Sequence, residues 1–302
     1  KEMNDKTIVT KIHSLQRKYN FYNIGCPFII LAGFIIGFFA LFNGEYSNIT
    51  AVPGLVLALV CVIGGIVGAT RSKKAGIQLK NYVGEYVIKD VIEEQIEIQK
   101  YDPNDFINRK AVSASCLMPK YDEITGSDFI KGTYKGHQLS YCDLHLRRKE
   151  TTRDINGKKD VDWVTVFQGH FVRMPLKEDL EGFVKIKERK NPRKKRSFID
   201  DLFDQAAEAV GLKGDTSIIE TENEAFNDQF EVRTNNEELA FYILTPHFME
   251  SIIKLDELAQ GYTNINFRNG VVYIAINNGR DSFEVKRTIH SESRLEKSRQ
   301  EM

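Results

Sequence analysis

Hydrophobic and polar positions divide this chain into two parts of different kind. Two runs, Ile24 to Phe42 and Val52 to Ala69, contain no charged residue, and only the segment Asn43 to Ala51 separates them. At about 1.5 Å of rise per residue such runs reach about 27–29 Å, close to the roughly 30 Å hydrocarbon core of a bilayer. The pattern predicts a transmembrane helical hairpin over 24–69, preceded by an N-terminal segment 1–23. A cleaved signal peptide does not fit the first run, which starts far from the first residue, is too long, and is followed by a second span.

Beyond Ala69 the periodicity changes repeatedly. Leu79, Tyr82, Val83, Tyr86, Val87, Val91, Ile92 and Ile96 recur at spacings of three and four, which predicts a helix from about Gln78 to Gln99, a stalk (70–100) continuing the second span. Tyr101-Asp102-Pro103-Asn104-Asp105 ends it. Strands are expected at Phe129 to Tyr134, His137 to Arg148 and Val161 to Val172, the last two joined through Asn156-Gly157, and again at Phe183 to Lys187. Phe198, Leu202, Phe203, Ala206 and Val210 then form one apolar helical face, stopped by Gly211 and Gly214.

Further strands are expected at Ser217 to Thr221 and Gln229 to Arg233, and a short helix at Glu237 to Leu244. Thr245-Pro246 caps a second helix through Ala259, closed by Gly261. Tyr262 to Phe267 and Val271 to Ile276 flank the turn Asn269-Gly270, Phe283 to Val285 adds an edge strand, and 287–302 is a polar tail. The expected fold class is α+β: a transmembrane helical hairpin, then a cytosolic domain (101–286, with a sub-boundary at 187–197) of antiparallel strands and helices.

Charge orients the hairpin. Lys1, Lys6, Lys11, Arg17 and Lys18 precede the first run and Arg71, Lys73, Lys74 and Lys80 follow the second, whereas the connecting segment carries only Glu45. Retained Lys and Arg mark the cytosolic side, so both termini are expected in the cytosol. Antiparallel spans joined this closely must pack, and small residues allow close approach in lipid. Gly33 with Gly37, and Gly64 with Gly68, form small-xxx-small pairs. The candidates opposite them are Ala58 for Gly33 and Gly25 for Gly68, although either pair could instead face another subunit. Pro27 is placed in the first turn of its helix, where a missing N–H costs little.

The chain as a whole balances 42 basic against 42 acidic residues, which argues against a general nucleic-acid binder. Locally the balance fails. Lys187, Arg189, Lys190, Arg193, Lys194, Lys195 and Arg196 crowd one segment with a single Glu, and the stretch from Phe198 to Glu238 is strongly acidic. The basic run fits a solvated linker paired with those acids first, a contact with an anionic membrane surface second, and a nucleic-acid or targeting segment last. Four cysteines without a CxxC pair imply no disulfide framework.

Candidate chemistry is thin. Cys142, His145 and His170, with Cys116, could be imagined around zinc, but residues three apart on a strand face opposite sides. Cys142 is expected on a core face with Leu144 and Leu146, leaving His145 outward with Tyr141 and Asp143. Asp200, Asp204 and Glu208 follow from helix amphipathicity, and His247 is a candidate only for lack of others. Nucleophile elbows, phosphate-cradling glycine loops and HExxH pairs do not occur. No cofactor, metal or catalytic residue is assigned.

Three stretches together carry a resemblance: Gly132-Thr133-Tyr134, Val166-Phe167-Gln168-Gly169-His170-Phe171-Val172, and Phe226-Asn227-Asp228-Gln229-Phe230-Glu231-Val232 leading into Tyr242-Ile243-Leu244-Thr245-Pro246-His247-Phe248-Met249. The chain resembles the bacterial membrane family known as domain of unknown function 3137, over roughly Tyr101 to Val285 plus the hairpin. The resemblance implies a bacterial inner-membrane protein and carries over no catalytic residue. The motifs themselves read as folding signatures: Gly169 marks a bulge or close backbone approach, and Thr245-Pro246 a helix start. The expected function is a membrane-anchored cytosolic binding or scaffold module, in contact with the bilayer and with a protein partner or a second copy through its spans. The alternatives are a membrane-bound enzyme of unrecognised type, such as a hydrolase, and a lipid-surface sensor.

Overall fold

A computed structural model of the 302-residue chain describes residues 5–42, 48–153, 159–178, 180–189 and 216–280. The described residues divide into two compact units, one up to Val91 and the other from Ile92 onward. In the first unit, α1 (Asp5–Phe42) and α2 (Asn48–Val83) are long unbroken helices, each apolar enough to cross a membrane. Their apolar windows are only 11% and 17% buried, unlike the core helices of a soluble domain. Phe28, Phe34, Phe38, Leu59 and Val60 all point outward.

The two helices pack closely along one seam. A methyl group at Gly33 would lie 2.6 Å from Cys61 Cβ and 3.3 Å from the Ala58 carbonyl oxygen, and one at Gly37 would lie 3.2 Å from Ala58 Cβ. Further along, Gly65 meets Ile30, Gly68 meets Cys26, and Gly76 meets the Tyr19 ring. The partners step down one helix as they step up the other, which is the antiparallel register. Cys26, the residue after Gly25, is what faces Gly68, and the space around Gly64 is open to 4 Å. Because α1 starts at Asp5, Pro27 lies in its interior and not in a first turn. Its missing N–H is tolerated there as prolines commonly are in apolar helices.

Beyond α2 the helix passes through a π-helical segment, Gly84–Ile88, and a last turn α3 (Lys89–Glu93). It stops short of Gln99. The amides of Gln95 and Ile96 both return to the Ile92 carbonyl, at 3.0 and 2.9 Å. The residues after them form β1 (Glu97–Asp102), which pairs with β2 (Glu123–Tyr134). Strand pairing overrides the helical spacing read over this stretch, as tertiary context does with a weak local preference.

The second unit is built on a nine-stranded antiparallel sheet in the order β1-β2-β3-β4-β9-β8-β5-β7-β6. Its remaining elements are α4 (Arg109–Ala114), β2 (Glu123–Tyr134), β3 (His137–Arg153), β4 (Lys159–Pro175), β5 (Phe183–Glu188), β6 (Ser217–Ile219), α5 (Glu224–Gln229), β7 (Phe230–Thr234), α6 (Glu237–Ile243), α7 (Pro246–Ala259), β8 (Tyr262–Arg268) and β9 (Val271–Asn277). The α+β class expected from the sequence is the class observed. α4 and α5 were not signalled by periodicity, being six residues each, and both start on an asparagine cap, Asn108 and Asn223. α7 begins on the Thr245 cap with Pro246 in its first turn, but it is Gln260, at φ 50°, that closes it, not Gly261. The Asn269-Gly270 turn has φ of 50° and 63°, as a two-residue hairpin requires. The Asn156-Gly157 turn, the 198–210 helix and the Phe283–Val285 strand lie outside the described residues.

Two hydrophobic cores sit on opposite faces of this sheet. β9 serves both: Val271, Tyr273 and Ala275 join Cys142, Leu144, Leu146 and Phe171 on one face, whereas Val272 and Ile274 join Val184, Ile186, Val232 and Ile265 under α5–α7 on the other. Burying each large side chain of this kind contributes about 1.5–3 kcal/mol. β4 meets β9 through Gly169, at φ 151°, where a Cβ would run into the Ile276 carbonyl oxygen. Replacing Gly169 with Ala is expected to destabilise the second unit by about 2 kcal/mol or more, read as a lower urea midpoint of the near-UV signal in detergent.

Candidate ligand-binding cleft

Directly opposed residues of antiparallel strands project to the same side of the sheet. The pairing therefore sets Lys100, Lys131, Ser140 and Arg173 side by side on β1 to β4. The same row continues through Tyr273, Asn266, Lys185 and Arg233 on β9, β8, β5 and β7. All eight side chains can donate a hydrogen bond and none is a carboxylate. A bulge at Asp128, φ 57°, is what brings β2 into line: the register shifts between Ser127 and Ile130, so Phe129 and Lys131 change to this face.

One half of the row is closed by the turn after α4. Lys185 Nζ donates to the Cys116 carbonyl at 3.1 Å, and Asn266 Nδ2 donates to the Ser115 carbonyl at 2.8 Å. Arg233 is held by Glu231 at 2.6 Å. These bonds fix the end of α4 over the sheet.

The other half is open. Ser140, Arg173 and Tyr273 form the floor of a cleft of about 630 Å³, walled by Asn108, Lys110, Ala111 and Ala114 of α4 and by Phe106 and Phe129. Gly126 admits Phe106, since a Cβ there would lie 2.7 Å from the phenylalanine Cβ. At the rim Lys100 bonds Asp105 at 2.9 Å and lies 5.0 Å from the centre of the Phe129 ring. That bond holds the Asp105 carboxyl below the usual carboxylate range and raises the Lys100 ammonium. Lys110 and Arg173 have no ion-pair partner among the described residues. Tyr273 is 5% exposed and stacks on Phe171, yet neither its hydroxyl nor that of Ser140 has a hydrogen-bond partner among the described residues. The cleft thus combines aromatic walls with unspent donors and positive charge.

The opposite face of β3 and β4 carries a second polar cluster. Cys142, Leu144 and Leu146 are buried on the core side, and Tyr141, Asp143 and His145 point the other way. Asp143 is buried there, not solvated, and accepts from His170 Nδ1 at 2.7 Å and from the Tyr141 hydroxyl at 2.9 Å. Asn278 gives its NH2 to His170 Nε2 at 2.8 Å while its carbonyl oxygen accepts from the Arg280 amide at 3.0 Å. The ring proton therefore sits on Nδ1, and Nε2 is occupied as an acceptor. This arrangement ties β3, β4 and the end of β9 together, and it does not present a free base. His145 bonds Thr165 at 2.8 Å, and its burial, with Arg147 nearby, lowers its pKa. No group of three or more metal-ligating side chains occurs among the described residues.

Of the basic run, Lys187 lies on β5 between Glu231 and Asn264, and Arg189 Nε donates to the Asn227 and Phe230 carbonyls at 2.8 and 3.2 Å. Lys190, Arg193, Lys194, Lys195 and Arg196 lie outside the described residues, as do Asp200, Asp204 and Glu208. His247 is exposed on the first turn of α7. Lys187, Arg189 and His247 do not line the cleft, and none of the residues that do was a site candidate from the sequence.

Comparison with known proteins adds a family match. Residues 165–302 match a family described as "Protein of unknown function (DUF3137)". The resemblance read from the sequence therefore stands over that segment, which includes the Val166 to Val172 and Phe226 to Met249 stretches but not Gly132-Thr133-Tyr134. No curated protein matches the chain. Among solved structures it is similar to the mycobacterial trehalose monomycolate transport factor A, TtfA, at 8% identity and a TM-score of 0.35, over 73% of this chain and 96% of that one.

Two reactivity tests follow from this geometry. Burial pushes the Cys142 thiol up to about 12, against a bond from the Ile107 amide, so iodoacetamide should leave it unmodified in the native protein at neutral pH and modify it in urea. Because the folded state holds His145 below the unfolded value of about 6.5, the unfolded chain binds the proton more readily. Stability is then full above that value and falls as pH drops through it. His145→Gln should flatten the decline in denaturation midpoint between pH 7 and pH 5.

Proposed function

We propose that this chain is a membrane-anchored binding module of a bacterial inner membrane. α1 and α2 form the anchor, both termini lie in the cytosol, and the α+β unit engages its ligand there. The observation that carries this reading is the pair of long apolar helices whose large side chains face outward. In water such a surface would aggregate, whereas in lipid it is solvated. Arg17, Lys18, Phe21 and Tyr22 cluster just before the first apolar run, a basic and aromatic boundary suited to the cytosolic headgroup level.

The binding half of the reading is supported by the cleft, where donors without partners converge within a ligand-sized space. The enzyme alternative gains nothing from the Asp143–His170 pair, because Nε2 is taken by Asn278. A test uses the full chain expressed in a bacterium with a reporter after residue 302. A cytosolic fluorescent protein should be bright, a periplasm-dependent phosphatase inactive, and the fusion should resist carbonate extraction. Extraction into carbonate, or an active phosphatase, would overturn the anchor or its orientation.

A further inference from the structure

The geometry points to the cleft over Arg173 as a site for an anionic amphiphile: a phosphate or carboxylate group carried on an apolar body. This rests on the reading of the chain as a binding module and names the class of its ligand. Ser140, Arg173 and Tyr273 sit on three adjacent strands in one register row. Strands lie about 4.8 Å apart, so the three backbone positions span roughly 10 Å, with Arg173 between the two hydroxyl-bearing residues on the same side of the sheet. Arg173 offers the planar fork that matches phosphate and carboxylate oxygens, and the two hydroxyls are free to donate beside it.

Three observations set the sign and shape of this ligand. Lys110 stands over the floor from α4 and, like Arg173, has no ion-pair partner among the described residues, whereas the one carboxylate on the lining, Asp105, is already bound by Lys100. The site is therefore left with net positive charge. Tyr273 is more than nine-tenths buried, which fixes its ring, and its hydroxyl has no hydrogen-bond partner among the described residues and remains available to donate into the cleft. Phe106 and Phe129 then line the wall next to these donors, so an inorganic anion alone would leave the aromatic part of the cleft unused.

The test is titration calorimetry on the full chain in nanodiscs of neutral phosphatidylcholine, with hexyl phosphate, hexanol and inorganic phosphate as probes. Hexyl phosphate should bind saturably with a stoichiometry of one, inorganic phosphate roughly tenfold or more weakly, and hexanol not at all. Arg173→Gln should weaken hexyl phosphate roughly tenfold or more, Tyr273→Phe a few-fold, and Lys177→Gln on the loop after β4 not at all. Protection of Cys142 from iodoacetamide verifies folding of each variant, and if Arg173→Gln fails that check, Tyr273→Phe decides. Adding anionic phosphatidylglycerol to the nanodisc separates two sources of the same chemistry. A lipid headgroup reaching the cleft lowers the apparent affinity for hexyl phosphate, whereas a soluble ligand leaves it unchanged. No saturable binding by the wild-type chain, equal binding by the Arg173 and Tyr273 variants, or inorganic phosphate binding as tightly as hexyl phosphate would overturn the proposal. Failure of the anchor would show in carbonate extraction and as a chain that does not enter the nanodisc, and the same titration on the chain in solution then tests the cleft by itself.

Discussion

Strand β9 must satisfy two cores at once, and the rest of the second unit depends on that constraint. Its odd-numbered residues, Val271, Tyr273 and Ala275, pack on one face and Val272 and Ile274 on the other. A one-residue slip would exchange the two sets, so the register of β4–β9–β8 is strongly specified. Gly169 and Gly261 let the neighbouring chain close on this strand's end, where a Cβ at Gly261 would fall 2.6 Å from that of Asn278. Asn278 is in turn the residue that holds His170.

That fixed register also explains why a row of donors can cross the sheet without collapsing it. Where the row is covered, its donors find acceptors: Lys185 and Asn266 give protons to two successive carbonyls just after α4, and Arg233 binds Glu231, while Asn266 Oδ1 is buried without a partner among the described residues. Buried polar groups hydrogen-bonded in this way cost far less than unpaired ones. Where the row is uncovered, between α4 and the sheet, the Ser140, Arg173 and Tyr273 donors remain unspent, and Lys100 is bound at the rim by Asp105. The covered half positions α4, and α4 makes the wall of the open half.

The helical pair obeys a different rule. Close contact between two long apolar helices of this kind comes from shape. Gly33, Gly37, Gly65 and Gly68 supply that shape by admitting Ala58, Cys61, Ile30 and Cys26. Spacing alone had drawn attention to Gly64, but Gly65 is the residue turned toward α1. Helical spacing marks the positions of small residues, and the rotation of one helix against the other decides which of them is used.

By itself the sequence determined the elements whose signals are local. The two charge-free runs, the Thr245-Pro246 start of α7, the Asn269-Gly270 turn and the opposite facing of Cys142 and His145 all depend on residues a few positions apart, where periodicity and capping act directly. The cleft was not legible, because its floor and walls come from β1, α4, β2, β3, β4 and β9, and no local spacing links Phe106 to Arg173 or Tyr273. Its face was hidden as well: the bulge at Asp128 reverses the alternation of β2, so reading every second residue from Glu123 puts Phe129 and Lys131 on the wrong side. The end of the stalk helix followed the same logic, since Glu97 to Asp102 became a strand by pairing with β2. Local patterns encode which element forms, whereas long-range strand pairing and the docking of α4 on the sheet fix which side chains meet, and the candidate site is made of such meetings.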